Sequence, residues 1–469
     1  MSKTLKKVVI IGSGPGGYHT AARLAKDPSV QVTLIDKSSL GGTCLHIGCI
    51  PTKVLLDHLS LFEHFVESSK RKNLFQISSA SPNPDGLRKF QLEVIGQLQQ
   101  GLEKLFEKRK INFLPGKAKL LSNKKILVEL EGKRQEIEAD DIVIACGSKP
   151  KTVPTFKLDE KTVVSSDSIW NIPSVPEKLL IIGSGPIGIE FARIFNTLGS
   201  KVTIAEIQDK VCPILDSEIS ENLVRSLKRR GIMVKPNFAS KYVEKKEEKV
   251  TVEFLSTVDG KKETNEFNQV LIAVGREPNL EGLGLENLGV EISPGGFIKV
   301  NQYMQTSVKN IWAVGDVTNY PQLAHTASSQ AKVVSESILG KAKIFCGDLI
   351  PSCIFGYPEI AFVGEREEVL KEKKIEYKAG KYLFLASGKG KASGLTEGLV
   401  KILMDKNSKK ILGAHIIGAE ASNLICELVV AMQNNLTVDK IAESIHIHPT
   451  YSEVVLEALE DCLGEAVHV

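Results

Sequence analysis

The sequence lacks any apolar run of about 18 residues, the length that a transmembrane helix requires. It also lacks an excess of either charge, because 60 basic and 56 acidic residues leave a formal net charge of +4. Such a balance gives no electrostatic basis for binding nucleic acid or an anionic membrane surface. Apart from one close pair, the eight cysteines are scattered, which is typical of a reducing compartment. We therefore expect a soluble, cytoplasmic protein that binds neither nucleic acid nor membrane.

The amino terminus has little in common with a signal peptide. Its basic start leads into an apolar run over 8–11 that stops at Gly12, too short for a signal-peptide core. The run indicates a buried strand instead. A length of 469 residues predicts about three domains, and a hydrophobic fraction of 42% is sufficient for packed cores.

One pattern occurs twice in the chain: a β-branched strand, a glycine fingerprint, a helical stretch, and a second strand that ends in an acid. The glycines are Gly12, Gly14 and Gly17 in the first copy and Gly183, Gly185 and Gly188 in the second. In such a fingerprint glycines permit a tight turn, close approach of a pyrophosphate and close helix packing, while the helix N-terminus offers N–H groups to phosphate. A single fingerprint is a weak signal, but two complete copies predict two bound dinucleotides.

The two acids bear on which nucleotides are bound. Asp36 and Glu206 end the second strand of their copies, where a carboxylate accepts hydrogen bonds from ribose hydroxyls. A carboxylate at Glu206 would repel a 2′-phosphate, and no arginine follows it immediately. The second site is therefore predicted to prefer NAD to NADP.

Each copy is followed by a strand that closes on a glycine, Gly147 after the first and Gly275 after the second. Alternating segments over 125–130 and 249–254 suit antiparallel insertions in a dinucleotide fold. A third glycine-terminated strand precedes Asp316, which either accepts a hydrogen bond from a ligand hydroxyl or is an ordinary solvent-facing turn residue.

Two further stretches lack the fingerprint. Residues 60–110 are predicted to be largely helical, and after residue 347 the alternation of strands and helices predicts a separate carboxy-terminal domain. The helical spacing predicts one core stripe made of Leu92, Ile95, Leu98, Leu102 and Leu105.

The close cysteine pair, Cys44 and Cys49, lies in residues 41–53, GGTCLHIGCIPTK. A bridge across so short a loop would stabilise the fold by only about 2 kcal/mol, so reversible redox chemistry explains the pair better than a structural disulfide. A helix is predicted to begin near Cys49, where its N-terminus and Lys53, four residues on, would favour the thiolate. The alternatives are half of a zinc site or two unrelated buried thiols, but no second ligand cluster stands out and we predict no metal.

Residues 446–453 supply a candidate general base. A His-x-His pair is more often structural than catalytic, yet a disulfide exchanger requires a group that deprotonates a thiol near neutral pH. His446 and His448 are the candidates, and the Glu453 carboxylate could fix the imidazole tautomer and raise its basicity. His46, between the two cysteines, is the rival, although it could simply pack or cap there.

Taken together, residues 41–53, both fingerprints, residues 314–316 and 323–325, and the pattern His448-Pro-Thr-x-x-Glu453 resemble the pyridine nucleotide-disulfide oxidoreductases. The resemblance runs nearly end to end and is strongest to members that oxidise dihydrolipoamide. It implies an α/β fold with two Rossmann-like dinucleotide-binding domains, for FAD and NAD, and a carboxy-terminal α+β dimerisation domain. The implied ranges are 1–150 for FAD, 151–277 for NAD, 278–347 completing the FAD domain, and 348–469 for dimerisation.

The resemblance also implies roles for single residues. Cys44 would be the interchange thiol, Cys49 the thiol against the flavin, and His448 with Glu453 the base facing the other subunit's cysteines. Lys53 and Glu190 would flank the reactive nitrogen of the flavin. The remaining implied cofactor residues are Gly147, Gly275, Asp316, Ala324 and His325.

The implied partners are a second copy of the chain and lipoyl groups carried on an acyltransferase or on a glycine-cleavage carrier protein. We expect no lipoyl-like domain on this chain, because the first fingerprint begins at Gly12. His46, Cys146 and Asp36 depart from the family's usual asparagine, threonine and glutamate, and none of these changes removes a catalytic group.

Three alternatives within the superfamily are weaker. A mercuric-ion reductase would need a second carboxy-terminal cysteine besides Cys462, a glutathione reductase would need basic residues near Glu206, and a soluble transhydrogenase would not need the cysteine pair. A docking component with a vestigial flavin site is the non-enzymatic alternative, and the intact motifs argue against it.

Overall fold

The computed structural model describes residues 5–72, 74–75, 79–246, 249–341 and 343–468. The chain divides into two compact units. The first consists of residues 1–54, 85–151 and 276–347, and the second of residues 55–84, 152–275 and 348–469. The predicted domain boundaries after residues 150, 277 and 347 stay predictions.

The elements follow one another along the chain in three stretches. Up to residue 150 they are β1 (Lys6–Ile11), α1 (Pro15–Leu24), β2 (Val30–Asp36), α2 (Gly42–His46), α3 (Cys49–Lys72), α4 (Pro84–Arg109), β3 (Asn112–Pro115), β4 (Lys117–Ser122), β5 (Lys125–Leu130), β6 (Lys133–Glu138), β7 (Asp141–Ile144) and β8 (Ser148–Pro150). Up to residue 278 they are β9 (Val163–Ser165), β10 (Lys178–Ile182), α5 (Pro186–Thr197), β11 (Lys201–Ala205), α6 (Ser217–Arg229), β12 (Met233–Lys235), β13 (Phe238–Lys246), β14 (Lys249–Ser256), β15 (Lys262–Phe267), β16 (Gln269–Ile272) and β17 (Arg276–Pro278). Thereafter they are β18 (Ile311–Ala313), α7 (Ala324–Ile338), β19 (Ser352–Ile354), β20 (Glu359–Gly364), α8 (Glu367–Glu372), β21 (Tyr377–Leu383), α9 (Gly388–Ser393), β22 (Leu399–Asp405), β23 (Ile411–Gly418), α10 (Ala421–Gln433), α11 (Val438–Ala442) and α12 (Glu453–Leu463), while short 3-10 turns lie at Ile169–Asn171, Leu285–Leu288 and Gly315–Val317.

The first unit is built on a parallel sheet in the order β18-β7-β1-β2-β3. Residues 8–11 of β1 and 142–144 of β7 are continuous buried apolar runs, because parallel strands of this kind are covered on both faces. The carboxyl ends of these strands meet at one edge of the sheet, where ligands of open α/β sheets bind. The antiparallel meander β4-β5-β6 is inserted before β7, as the alternation over 125–130 predicts.

The second unit repeats this construction. Its parallel sheet has the order β12-β11-β10-β16-β9, and the meander β13-β14-β15 precedes β16. The same unit contains an antiparallel sheet in the order β19-β20-β23-β22-β21, with its own apolar core. The predicted fold class, α/β with two dinucleotide-binding sheets and an α+β carboxy-terminal portion, is confirmed.

The predicted core stripe on α4 is wrong for two of its five members. Leu92 is 52% exposed and Leu98 is 44% exposed, whereas Ile95 is buried and the other two leucines are half-buried. The buried position next to Leu92 belongs to Gln91, whose amide donates a hydrogen bond of 2.8 Å to the carbonyl of Pro51. Successive helix residues point about 100° apart, so a buried Gln91 turns Leu92 away from the core. Residues 73 and 76–78 of the predicted helical stretch lie outside the described residues.

A buried charged cluster joins three elements of the second unit. Lys401 on β22 is 1% exposed, and its ammonium lies 2.9 and 3.0 Å from the two carboxylate oxygens of Asp216, which caps α6. The ammonium also donates to Glu367 of α8 over 2.6 Å. Burial alone would lower the pKa of Lys401, but hydrogen bonds to Glu367 and Asp216 raise it above its ordinary value. The surrounding carboxylates therefore favour the charged form of Lys401.

Replacing Lys401 by methionine is expected to lower the free energy of unfolding by about 3–5 kcal/mol, because buried carboxylates lose their counter-charge. The measurement is urea-induced unfolding. The matched control is Lys371→Met, because Lys371 contacts the same Glu367 carboxylate over 2.8 Å but is 63% exposed. A surface pair contributes about 0–1 kcal/mol. Equal losses in the two variants would contradict the proposed importance of the buried contact.

The same cluster predicts a pH dependence. Burial opposes ionisation of Glu367, but hydrogen bonds from Lys371 and Lys401 lower its pKa from 4.5 to about 2. The unfolded chain therefore protonates this carboxyl first, and its stabilising contribution is present above about pH 4.5 and lost as the pH falls toward 2. The stability difference between the wild type and Glu367→Gln should shrink between about pH 6 and pH 3. A difference that stays constant over this range would disprove the assignment.

Candidate functional site

The two cysteines lie at the junction of two helices in the first unit. Cys44 is in α2, and Cys49 begins α3, as predicted. Both side chains are half-buried thiols, and that of Cys44 is hydrogen-bonded to Cys49. Gly48 permits this junction, since a methyl group there would lie 2.9 Å from the carbonyl oxygen of Thr43. The structure thus brings the pair into contact without a covalent bond, which is the dithiol arrangement of the predicted redox centre.

The pKa of the Cys44 thiol is determined mainly by its neighbour Cys49. This pKa is raised, mainly by the hydrogen bond to Cys49 and to a smaller extent by burial. The ammonium of Lys53 acts in the opposite direction and lowers this pKa. Lys53 thus acts on the thiol through its charge. The predicted lowering of the Cys49 pKa by the helix N-terminus stays a prediction.

The cysteine segment packs directly against the first fingerprint. A methyl group on Gly42 would lie 2.6 Å from the Cα of Gly14, and the N–H of Gly41 donates to the carbonyl of Ser13 over 3.2 Å. This close approach of two backbones, together with the φ of 64° at Gly42, requires glycine at position 42. The redox pair is thereby placed at the N-terminal end of α1.

Tyr18 is a neighbour of the pair that the motifs did not reveal. Burial and the nearby charges of Cys44 and Cys49 raise the pKa of its phenol. Its ring stacks on that of His19 with centroids 4.6 Å apart. The available signal was its position directly after Gly17, in the first turns of the fingerprint helix.

His46 lies beside the pair but is engaged elsewhere. Its Nε2 is 2.9 Å from the carbonyl oxygen of Leu40. This contact favours the interpretation that His46 packs or caps there.

The glycines of the two fingerprints adopt equivalent conformations. Gly12 and Gly183 have φ of 106° and 100°, in the left-handed region that favours glycine. A methyl group on Gly17 would lie 1.8 Å from the carbonyl oxygen of Gly12, and one on Gly188 would lie 2.2 Å from that of Gly183. These four positions therefore exclude side chains.

The middle glycines have a different role. Gly14 and Gly185 are the N-caps of α1 and α5, without a side-chain cap, and a methyl group on either would meet no atom within 4 Å. The helix N–H groups are thus accessible from open space at both positions. This is the geometry in which a pyrophosphate can approach the backbone.

The two acids brace the fingerprint turns. The Asp36 carboxylate accepts a 2.7 Å hydrogen bond from the N–H of Ser13, and Glu206 accepts bonds of 2.9 and 2.6 Å from the N–H and hydroxyl of Ser184. Each serine stands between the first two glycines of its fingerprint. The repeated Gly-Ser-Gly is the sequence signal for this contact, and the prediction of ribose binding does not include it.

Asp316 is half-buried and belongs to a hydrogen-bonded cluster, so it is not a solvent-facing turn residue. Its carboxylate accepts a 2.6 Å bond from the hydroxyl of Ser148, which also accepts one of 2.8 Å from Nε of Arg276. Gly147, with φ of 69°, directly precedes Ser148, and Gly275, with φ of 104°, directly precedes Arg276. The paired strands β8 and β17 bring Ser148 and Arg276 together.

Ala324 and His325 open α7 at a half-buried and an exposed position. The buried Gln330 of this helix accepts a 2.7 Å bond from the N–H of Gly315 and donates one of 3.2 Å to Thr318. Gln330 therefore fixes the helix start against the turn that carries Asp316. No motif pointed to this glutamine.

Glu190 lies on α5 in the second unit and is 6% exposed. Its carboxylate accepts a hydrogen bond of 3.1 Å from the N–H of Phe355. A buried carboxylate on a fingerprint helix is a candidate for contact with a cofactor.

The structure separates the two histidines of residues 446–448. His446 is mostly buried, between Glu427 at 3.0 Å and the carbonyl of Ser444 at 2.9 Å. His448 is 79% exposed, and its Nδ1 is 2.8 Å from the Glu453 carboxylate. Exposure therefore makes His448 the one that an incoming substrate can reach.

Glu453 is held in its ionised form. Burial raises the pKa of its carboxyl, but hydrogen bonds from the N–H of Thr450 and from His448 outweigh burial and lower it overall. Because a carboxylate can only accept, Nδ1 of His448 carries the hydrogen and Nε2 is the basic nitrogen. The pair has the arrangement of a general base with its orienting acid.

A dithiol packed on one dinucleotide fingerprint, together with a second fingerprint in the same chain, defines a nucleotide-dependent disulfide oxidoreductase. Residues 6–331 match the pyridine nucleotide-disulphide oxidoreductase family, and residues 350–459 match its dimerisation domain. The chain belongs to this family, and the resemblance stated from the motifs is confirmed.

Relatives cover nearly the whole chain. It is 36% identical to dihydrolipoyl dehydrogenase 2, mitochondrial, of Arabidopsis thaliana, over 98% of this chain and 91% of the relative. It is equally identical, with the same coverage, to the mitochondrial dihydrolipoyl dehydrogenase of Homo sapiens. The leghemoglobin reductase of Vigna unguiculata is 37% identical over 96% of this chain and 86% of the relative.

Solved structures show the same fold. LpdA from Mycobacterium tuberculosis superposes with a TM-score of 0.89 at 25% identity, covering 97% of this chain and 99% of that one. The flavoprotein disulfide reductase RclA from Escherichia coli, solved as a Cu(II) complex, has a TM-score of 0.86 at 27% identity over 98% and 99% of the two chains. Family membership confirms the predicted FAD and NAD cofactors. Among the residues that the structure describes, no helix is both long and apolar enough to cross a membrane.

Proposed function

We propose that this protein is a dihydrolipoyl dehydrogenase, which oxidises protein-bound dihydrolipoamide to lipoamide and transfers the electrons to NAD. The observation that carries the proposal is the contact between Cys44 and Cys49 at the first fingerprint, in a chain whose full-length relatives bear that name. The exposed base at His448 supports it, because the substrate thiol must lose a proton.

The residues present fit an FAD and an NAD. Gly14 and Gly185 leave the N–H groups of α1 and α5 open to a pyrophosphate, and no side chain competes for them. We propose Gly12, Gly14, Gly17, Asp36, Lys53, Gly147, Glu190, Asp316, Ala324 and His325 as FAD-binding residues, and Gly183, Gly185, Gly188, Glu206 and Gly275 as NAD-binding residues.

The chain's own residues account for the thiol chemistry. Nε2 of His448 removes a proton from dihydrolipoamide, and the resulting thiolate attacks Cys44 of the Cys44–Cys49 disulfide and displaces Cys49 as thiolate. The second substrate thiol then displaces Cys44, so lipoamide leaves as a disulfide and both cysteines are reduced. When bound at the residues proposed above, FAD would supply the two-electron redox chemistry that links the reduced cysteine pair to NAD. Glu453 keeps the His448 ring oriented throughout.

The proposal includes an assembly. Two copies of the chain form a homodimer through residues 348–469, with His448 and Glu453 of one copy serving the cysteine pair of the other. The lipoyl group arrives on an acyltransferase of a 2-oxoacid dehydrogenase complex or on a glycine-cleavage carrier protein, and the enzyme is cytoplasmic. The match of residues 350–459 to the dimerisation domain supports the homodimer.

NADP is expected to support turnover about 100-fold less efficiently than NAD, since a carboxylate facing a 2′-phosphate costs several kcal/mol. Glu206 is the reason, and steady-state kcat/KM with each nucleotide is the measurement. In Glu206→Gln the amide oxygen can still accept from Ser184, while the charge and the acceptor for the Gln208 N–H are lost. The ratio of kcat/KM with NAD to kcat/KM with NADP should fall in this variant. An unchanged ratio would show that other residues select the nucleotide.

The decisive experiment mixes the purified flavoprotein with dihydrolipoamide and NAD and follows the formation of NADH. We expect rapid formation of NADH. We also expect a long-wavelength absorbance band, which arises when a thiolate lies in contact with the flavin. Bound flavin without turnover would disprove the substrate assignment and leave the family unaffected. The same preparation would then be tested with other disulfides and with Cu(II) and Hg(II).

A further inference from the structure

Two buried charged residues on α5 hold the same peptide segment. Glu190 accepts from the N–H of Phe355 over 3.1 Å. Arg193, one turn further on, donates from Nη1 to the carbonyl of Gly356 over 2.8 Å and to that of Phe355 over 3.3 Å. Residues three apart on a helix share a face. The segment is thus bound at its N–H by one side chain and at its carbonyls by the other.

The other half of the Arg193 guanidinium is directed at α3. Nη2 lies 2.8 Å from the Glu63 carboxylate and 2.5 Å from the hydroxyl of Ser60. The side chains of Arg193 and Glu63 are only 7% and 10% exposed. Glu63 also accepts from Thr197, one turn beyond Arg193. The planar fork of arginine therefore bridges a helix and a peptide segment at once, which the single ammonium of lysine cannot do equivalently.

The segment is closely packed on α5 as well as hydrogen-bonded. A methyl group on Gly356 would lie 3.2 Å from the side chain of Ile189. The ring of Tyr357 lies under the guanidinium of Arg230, whose central carbon is 3.4 Å from the ring centroid. The guanidinium carbon of Arg193 is 5.0 Å from the same centroid. The position of the Phe355 N–H is therefore fixed by Arg193 together with the packing of Gly356 and Tyr357.

We propose that Arg193 is a positioning residue for Glu190: it fixes the Phe355–Gly356 peptide, whose N–H holds the Glu190 carboxylate in place. The inference rests on the proposed function, in which Glu190 contacts the flavin. A displaced carboxylate would impair reduction of the flavin by NADH, because groups at a reaction centre tolerate little misplacement. The thiol half of the reaction uses Cys44 and Cys49 of the first unit, so we expect it to change less.

The main test uses Arg193→Lys, which retains a positive charge beside Glu63 but loses the fork. We expect faster hydrogen–deuterium exchange in the peptide containing Phe355, measured on protein without cofactor. In the flavin-loaded enzyme, rapid mixing with NADH should show flavin reduction slowed about tenfold, with reduction by dihydrolipoamide changed less than about twofold. Unchanged exchange or an unchanged rate with NADH would overturn the inference.

A second variant separates positioning from charge balance. Arg193→Met alone leaves Glu63 buried without a counter-charge, whereas the double variant Glu63→Met with Arg193→Met removes both charges and should recover stability. Its reduction by NADH should remain slow. Recovery of both stability and rate would show that Arg193 only neutralises Glu63, and would overturn the proposal.

Two further variants serve as references. Lys235→Met breaks a contact with Glu263 elsewhere in the second unit and should lose stability without altering reduction by NADH. Glu190→Gln should slow this step. If Glu190→Gln has the wild-type rate, the flavin-contact assignment of Glu190 fails, and with it the inference. If flavin reduction by NADH is slow in Glu190→Gln but has the wild-type rate in Arg193→Lys, the inference about Arg193 is overturned and the assignment of Glu190 is retained.

Discussion

Cys44→Ser is expected to lower dihydrolipoamide-dependent NADH formation at least about 1000-fold, because serine cannot form the disulfide that accepts the substrate's electrons. The hydrogen bond between Cys44 and Cys49 places the two sulfurs where that bond forms and breaks. Steady-state turnover of the flavin-loaded protein with dihydrolipoamide and NAD is the measurement.

The loss should be confined to the thiol half-reaction. Flavin in Cys44→Ser should still be reduced by NADH at nearly the wild-type rate, since that step uses the second dinucleotide unit. Cys346→Ser, at an exposed cysteine, is the matched control and should retain full turnover. Turnover of Cys44→Ser within about tenfold of wild type would reject Cys44 as the interchange thiol.

His448→Gln is expected to lower turnover about 10²- to 10⁴-fold, the range that general acid–base catalysis contributes. Glutamine preserves hydrogen bonding toward Glu453 but has no basic nitrogen, so the substrate thiol is not deprotonated. The deficit should shrink as the pH is raised, because a growing fraction of dihydrolipoamide is then ionised in solution. Turnover measured across pH for wild type and variant tests both statements.

His446→Gln provides a close control, since it changes the same residue type two positions away. His446 is buried against Glu427, so its loss should reduce stability and leave turnover within a few-fold of wild type. A loss of activity in His446→Gln as large as in His448→Gln would show that the whole segment, not the exposed imidazole, is required.

The agreement between sequence and structure depends on how locally each feature is determined. The strand over 7–11 was predictable because burial on both faces requires a run of apolar residues. The start of α3 at Cys49 was predictable because proline is common in the first turn of a helix, and Pro51 lies there. The stripe on α4 failed at Leu92 because a hydrogen bond from Gln91 to Pro51, forty positions back in the chain, decided which side of the helix is buried.

The same division holds for the candidate site. Residue types and short spacings alone identified both fingerprints, the cysteine pair and the pattern around His448, because glycine geometry, thiol chemistry and imidazole basicity are properties of single residues and near neighbours. Only the tertiary structure showed that Tyr18 adjoins the thiols, that Asp36 and Glu206 brace their turns, that His446 is buried while His448 is exposed, and that Arg193 binds both α3 and the segment at Phe355. These facts depend on contacts between distant parts of the chain, and such contacts are settled by packing and by the pairing of buried polar groups rather than by local pattern.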